Sequence, residues 1–153
     1  MYHIGVSCGF HDAAISIIDI EGNILFAGHS ERYSKIKNDW YTNDELWKDA
    51  ELYGGAPDEI AYYEKPGLKK LRLMLRGGAA DWKPRHKFDI SFKHHYTHAC
   101  AGYYTSTFDK AAIVVLDAIG EFSTSTVWAG DVENIKLIKA RKSTRLNSSH
   151  VAL

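Results

Sequence analysis

Three apolar runs with short polar breaks open the chain. "YHIGVSCG" is rich in β-formers and stops at Gly9, "AAISIIDI" carries Ile15, Ile17, Ile18 and Ile20, and "NILFAGHSE" follows a turn at Glu21-Gly22-Asn23. Three consecutive strands with tight turns predict an antiparallel meander. The period then lengthens: "TNDELWKDAELY" (42–53) reads as a helix capped at Thr42 or Asn43, with Glu45 in its first turn and Gly54-Gly55 as its stop. "EIAYYEK" returns to strand. "GLKKLRLMLRGG" places Leu68, Leu71 and Leu75 at helical spacing, with Lys69, Lys70, Arg72 and Arg76 largely off that stripe, either as a solvated face or as phosphate contacts. "KFDISF" predicts a short strand and "HHYTHACAGYYTST" a helix. "AAIVVLDAIGE" reads as a buried strand ending in a glycine-bearing loop, followed by strands at "TSTVWAG" and "NIKLIKA".

The predicted order is therefore a meander, a helix, a strand, a helix, a strand, a helix and a second meander whose first strand ends in Asp117. The class is α/β. Two meanders, each with a polar loop after its first strand, suggest duplicated lobes facing a cleft. That is the architecture of actin, Hsp70 and the sugar kinases, in which both hairpin loops hold phosphates.

Composition adds bounds. The 153 residues are 45% apolar, enough for one packed domain or one lobe of a larger one. Lys plus Arg and Asp plus Glu balance at 19 each, so no global field draws the chain to nucleic acid or a charged membrane. Cys8 and Cys100 make no CxxC pair and no disulfide framework, which fits a reducing cytoplasm. No run approaches the roughly 20 apolar residues of a membrane span. From Lys139 the text becomes "KARKSTRLNSSHVAL", with no acidic residue and little periodicity. A basic nucleic-acid tail and disorder are two readings; the favoured one is a non-native tail over 139–153, because "RKSTRLNSSHVAL" looks like translated adapter sequence at the end of a truncated reading frame.

The chemistry concentrates in "SFKHHYTHACAGYY" (91–104). On a helix, His94 and His98 share one face with Cβ atoms about 5–6 Å apart and can aim at one ion, while His95 points about 100° away as a neighbour. A chance pair on an exposed helix is the bland alternative. Asp117, following "AIVVL", shifts the balance, because a carboxylate at the mouth of a buried strand is costly without something to bind. Two imidazoles and a carboxylate suit Fe(II), Zn(II) or Mn(II). Zinc-protease chemistry is disfavoured, since HExxH requires Glu where this chain has His95. In "CGFHDAA", His11 and Asp12 follow Gly9, whose missing side chain allows close ligand approach; they read as a proton acceptor with its orienting group, or as an exposed His beside a turn cap. "DAIGEFSTST" offers a glycine turn at Gly120, with Glu121 beside it and hydroxyls at Ser123 to Thr126, as a phosphate cradle without the GK[ST] of a Walker A. Arg32, Lys35 and Lys37 beside Glu31 either steer an anion or ride at a strand end.

Taken together, "GVSCGFHDAA", "SERYSKIKND", "YYEKP", "HHYTHACAGYYTSTFDKAAIVVLDAIGE" and "STST" resemble the N-terminal part of the O-carbamoyltransferase family typified by nodulation protein U, the cephalosporin hydroxymethyl carbamoyltransferase and the tobramycin carbamoyltransferase. The resemblance covers residues 1 to about 138. It implies an actin-like ATPase domain (ribonuclease H-like), here the first lobe and the start of the second, with an adenylate-forming domain that this chain lacks. It implies that carbamoyl adenylate, made from carbamoyl phosphate and ATP, donates its carbamoyl group to a small-molecule hydroxyl. By the same resemblance His94, His98 and Asp117 are ligands of a divalent metal, Fe(II) ahead of Zn(II) or Mn(II), and His11 with Asp12 forms the catalytic turn. Gly9, Arg32, Lys37, Gly120 and Glu121 are expected to bind substrate or nucleotide. A homodimer of the full-length parent is compatible with it, and the fragment alone is expected to be inactive.

Ala118 departs from the family's "DGVGE" loop, narrowing the room for phosphate. Competing readings are a tRNA threonylcarbamoyl transferase relative, a catalytically silent nucleotide-binding module, and a non-haem iron oxygenase.

Overall fold

The computed structural model describes residues 2–9, 11–54, 59–75, 87–117 and 123–142, in two compact units that divide between Phe92 and Lys93. In the first, β1 (Tyr2–Ser7), β2 (Ala14–Asp19) and β3 (Ile24–His29) form the expected antiparallel meander. β4 (Glu59–Tyr62) lies parallel to β1, and β5 (Ile90–Ser91) lies parallel to β4, giving the order β3-β2-β1-β4-β5. Strand alternation selects the buried face: Ile4 and Val6 stand opposite Ile17 and Ile15, all four buried, whereas Ile18 and Ile20 stay exposed. The β2–β3 turn is built on Asp19, whose carboxylate accepts the backbone N–H groups of Glu21 and Asn23 at 3.0 and 2.8 Å and the Asn23 side-chain amide at 2.9 Å. These bonds, the Asn23 side chain foremost, hold its carboxyl below the usual range. Gly22 completes the turn at φ 85°.

The hydrophobic pattern did not predict α1 (Ser30–Ser34), a single polar helical turn that ends in a left-handed Lys35 at φ 59°. It is held from outside. Asn43 Nδ2 donates to Ser30 O and Oγ at 3.1 and 3.0 Å, and the Ser30 hydroxyl donates to Tyr41 O. Asn43 also caps α2 (Asp44–Gly54), accepting the Leu46 N–H at 2.9 Å, which selects Asn43 over Thr42. Thr42 instead accepts the indole N–H of Trp47 at 3.0 Å. Leu46, Trp47 and Ala50 close the core over the meander. Gly28 makes room for them, since a Cβ there would stand 2.6 Å from Leu46 Cδ1.

α3 (Pro66–Leu75) forms where expected but buries the wrong face for a simple amphipathic reading. Leu71 is exposed, and Lys69, assigned to the polar face, is 1% exposed. Its ammonium pairs with Glu64, also 1% exposed, and donates to Cys8 O at 2.9 Å, Tyr62 Oη at 3.1 Å and Tyr63 Oη at 3.3 Å. Tyr62 Oη donates to the same Cys8 carbonyl at 2.7 Å. Burial is tolerated because the charge is matched by a carboxylate and oxygen acceptors. Neither the solvated nor the phosphate-contact reading holds for Lys69.

The second unit contains α4 (His94–Tyr104) and an antiparallel sheet of β6 (Ala111–Leu116), β7 (Ser123–Gly130) and β8 (Ile135–Lys142), ordered β6-β7-β8. Ala99, Val115 and Trp128 form its core with Tyr96, Ile113 and Ile135 packed against them. The expectation that β6 is buried needs correction: Val114 and Leu116 are 61% and 77% exposed, because α4 covers one sheet face and strand alternation turns these two to the other. β8 runs on past Lys139 as far as Lys142, with Lys139 paired to Val127, Ala140 to Thr126 and Arg141 to Ser125. Residues 143–153 lie outside the described residues. The architecture is mixed α/β, with one mixed and one antiparallel sheet. No helix among the described residues is long and apolar enough to cross a membrane.

Lys69→Met should cost about 3–5 kcal/mol by leaving Glu64 buried beside an apolar chain, and Lys69→Met with Glu64→Gln should recover part of it. Urea denaturation of the three proteins checks this; equal midpoints for wild type and Lys69→Met would contradict it.

Candidate metal centre

One turn of helix and one strand end build the principal site. α4 begins at His94 after an extended Lys93, so His94 and His98 face the same way, one turn apart. β6 ends at Leu116, and the Asp117 N–H bonds Thr124 O at 3.0 Å, which fixes the carboxylate where it leaves the strand. The side chains meet. His94 Nε2 lies 2.5 Å from Asp117 Oδ2, His98 Nε2 lies 3.1 Å from His94 Nε2, and His98 Nε2 lies 3.8 Å from Asp117 Oδ2. These donor atoms all fall within 4.8 Å of one another.

This donor set fits a metal on its own chemistry. A neutral imidazole nitrogen carries either a proton or a lone pair. If His94 Nε2–H donates to Asp117, it has no lone pair for His98; if it does not, two lone pairs confront each other. A cation among the three satisfies all of them at once. Tetrahedral bonds of about 2.0–2.1 Å place ligand atoms about 3.3–3.4 Å apart; the three separations of 2.5, 3.1 and 3.8 Å lie on both sides of that value, so His94 and Asp117 would part to admit an ion. His94 is 14% exposed by side chain, Asp117 25% and His98 53%, so the group opens to solvent on the His98 side. Burial first, and the neighbouring His94 second, hold the His98 imidazole below its ordinary value of 6.5 against the opposing pull of Asp117, which keeps it neutral and able to ligate.

His95, about 100° round α4 from His94, is buried, with Nδ1 2.9 Å from Thr126 Oγ1. Trp128 Nε1 donates to the same hydroxyl at 2.7 Å. His95 thus anchors the helix that carries the two ligands to β7. Helical spacing sets its direction but does not identify Thr126.

The other expected site residues lie on the first unit or outside the described residues. His11 Nδ1–H donates to Asp12 Oδ2 at 2.6 Å; Asp12 takes φ 52°, and this left-handed turn brings the adjacent carboxylate back to the ring. His11 is exposed, as one reading had it, and is bonded to Asp12 as well. Gly9 is buried at φ 84°, and its N–H bonds Trp40 O at 2.7 Å, while Ala13 N–H bonds Asp39 O at 2.7 Å, so the 39–41 segment braces the turn. Arg32 and Lys37 are both exposed. Lys35 turns inward on its own helix, donating to Arg32 O at 2.6 Å. Gly120, Glu121 and Ala118 lie outside the described residues. Sequence reading missed His29, which stands with Asp12 and Glu31 as a second group of donors within 4.8 Å. Only the β2–β3 register, which pairs His29 with Ala14, reveals that grouping.

No family model matches the chain. A curated protein of Synechocystis sp., described only as uncharacterized, is 26% identical over 170 residues, covering 85% of this chain and 28% of that protein. The chain therefore spans less than a third of the relative's length.

Two measurements check the site. Co(II) absorbance or calorimetry should show one divalent ion bound through His94, His98 and Asp117, lost in His94→Ala and His98→Ala. Because protons compete for the same nitrogens, affinity should fall as pH drops through the lowered value of His98. Thr126→Val, which removes the hydroxyl shared by His95 and Trp128, should lower stability by about 1–3 kcal/mol in a thermal or urea melt.

Proposed function

We propose that residues 1–138 belong to the N-terminal part of an O-carbamoyltransferase that passes a carbamoyl group from carbamoyl adenylate to a hydroxyl of a small-molecule natural product, in the cytoplasm. The observation that carries this reading is the convergence of His94, His98 and Asp117, the three residues that the motif resemblance marks as ligands. The finer fold assignment, an actin-like lobe and the start of a second, belongs to the same proposal. The β3-β2-β1-β4-β5 sheet and the second meander support it.

A divalent ion, Fe(II) ahead of Zn(II) or Mn(II), would supply Lewis acidity toward a phosphate or carbonyl oxygen. The chain's own residues account for the proton. With Nδ1–H held by Asp12, the basic lone pair of His11 sits on Nε2, suited to accept the proton of the attacking hydroxyl. The hydroxyl oxygen bonds the carbamoyl carbon, the bond from that carbon to the phosphate oxygen breaks, and AMP leaves with its electron pair. Arg32 and Lys37, both exposed, offer positive charge to the nucleotide or the acceptor. Close backbone approach at Gly9 and a phosphate cradle at Gly120 and Glu121 belong to the same proposal.

The test uses the full-length parent, recovered by sequencing the source DNA across the codon for Lys139. Given ATP, carbamoyl phosphate and a panel of hydroxyl acceptors, it should release pyrophosphate and AMP and yield a carbamate detectable by mass spectrometry. His11→Ala should lower transfer by about 10²–10⁴-fold while leaving pyrophosphate release intact. ATP binding with neither metal nor carbamate formation would overturn the proposal in favour of a nucleotide-binding module.

A further inference from the structure

We infer that Asp12, His29 and Glu31 form a second divalent-cation site, in the first unit and separate from the histidine pair of α4. Three elements supply the donors: Asp12 from the β1–β2 turn, His29 from the last position of β3, and Glu31 from the first turn of α1. Backbone bonding fixes their convergence. The β2–β3 register sets His29 opposite Ala14, and the Ser30 N–H bonds Ala13 O at 2.7 Å, so the residues flanking His29 and Asp12 are tied together.

One ligand atom from each lies within 4.8 Å of the others, and all three residues are half-buried. No hydrogen bond or ion pair among the described residues joins any two of them. In the α4 group, by contrast, His94 and Asp117 already touch at 2.5 Å. Two carboxylates and an imidazole gather around one point and leave it open.

The outer contacts suit ligands already oriented. Asp12 accepts the His11 ring N–H at 2.6 Å, and Glu31 Oε2 accepts the Asn38 N–H at 3.3 Å. Bonds of this kind, one step out from the donors, fix the direction of ligating carboxylates in metal sites. The donor set is harder than the α4 set, with two carboxylates to one imidazole in place of one to two. It therefore suits an oxygen-preferring ion of the Mn(II) class, with water in its remaining positions.

The site shares Asp12 with the proposed catalytic turn, but its test requires no carbamoyl transfer, and Mn(II) itself is the probe. Titration of the 153-residue chain, followed by the electron paramagnetic resonance of free Mn(II), should show two bound ions. Glu31→Gln and, as a second variant, His29→Gln should each bind one, with circular dichroism like that of the wild type. His94→Ala combined with His98→Ala should also bind one, and adding Glu31→Gln to that pair should abolish binding. The inference is overturned if Glu31→Gln and His29→Gln both retain the wild-type stoichiometry, or if the His94→Ala, His98→Ala protein binds none.

Discussion

A buried ammonium organises the first unit. Lys69 and Glu64 are both withdrawn from water, and an ion pair so placed holds only if each remaining donor and acceptor is matched. Here the matching groups come from three places in the chain: the Tyr62 and Tyr63 hydroxyls at the end of β4, Glu64 just beyond it, and the Cys8 carbonyl after β1. The pair therefore fixes α3 against the ends of two parallel strands. It also fixes Cys8, one residue before the positive-φ glycine that opens the His11–Asp12 turn. The cost of burying charge is offset by the carboxylate and oxygen acceptors around it, and the same contacts order the backbone on which the proposed proton acceptor rides. Burial also pushes the Cys8 thiol up to about 11, the Lys69 charge pulling the other way, so it stays protonated as a packing group at neutral pH.

The second unit solves a similar problem with neutral groups. α4 presents ligands on one face and must be held by another, and His95, one residue from a ligand, performs the holding through Thr126. The same hydroxyl accepts from Trp128, whose ring lies in the small core with Ala99 and Val115. Fixing helix rotation through His95 aims both His94 and His98, since one rigid turn carries all three. Gly130 serves the other end of the helix, where a Cβ would come 2.8 Å from the Tyr103 ring.

Much of this was legible in the chain. Alternation in "AAISIIDI" and its neighbours indicated the meander because a two-residue period has a single geometric meaning when one face is buried. The i, i+4 spacing of His94 and His98 indicated a shared direction for the same kind of reason. The failures share a cause. α1 carries no apolar period because its support comes from Asn43 and Tyr41, outside its own sequence. A lysine off an apolar stripe reads as solvated or as a phosphate contact, and helical periodicity does not say that Tyr62, Tyr63 and Glu64, a few positions earlier, close on Lys69. β6 read as buried on both faces because an apolar run cannot say how many of its faces are covered within the chain.

Local periodicity, turn chemistry and ligand spacing were thus determined by the sequence alone, since each rests on residues within a few positions of one another. Asp117 beside His94 was already expected from the chain; the tertiary structure decided which other distant groups meet, Lys69 with Cys8 across 61 positions and His29 with Asp12 through strand register. Such meetings depend on register and on the placement of whole elements, which are set by the sum of the packing and carry no signature at either residue.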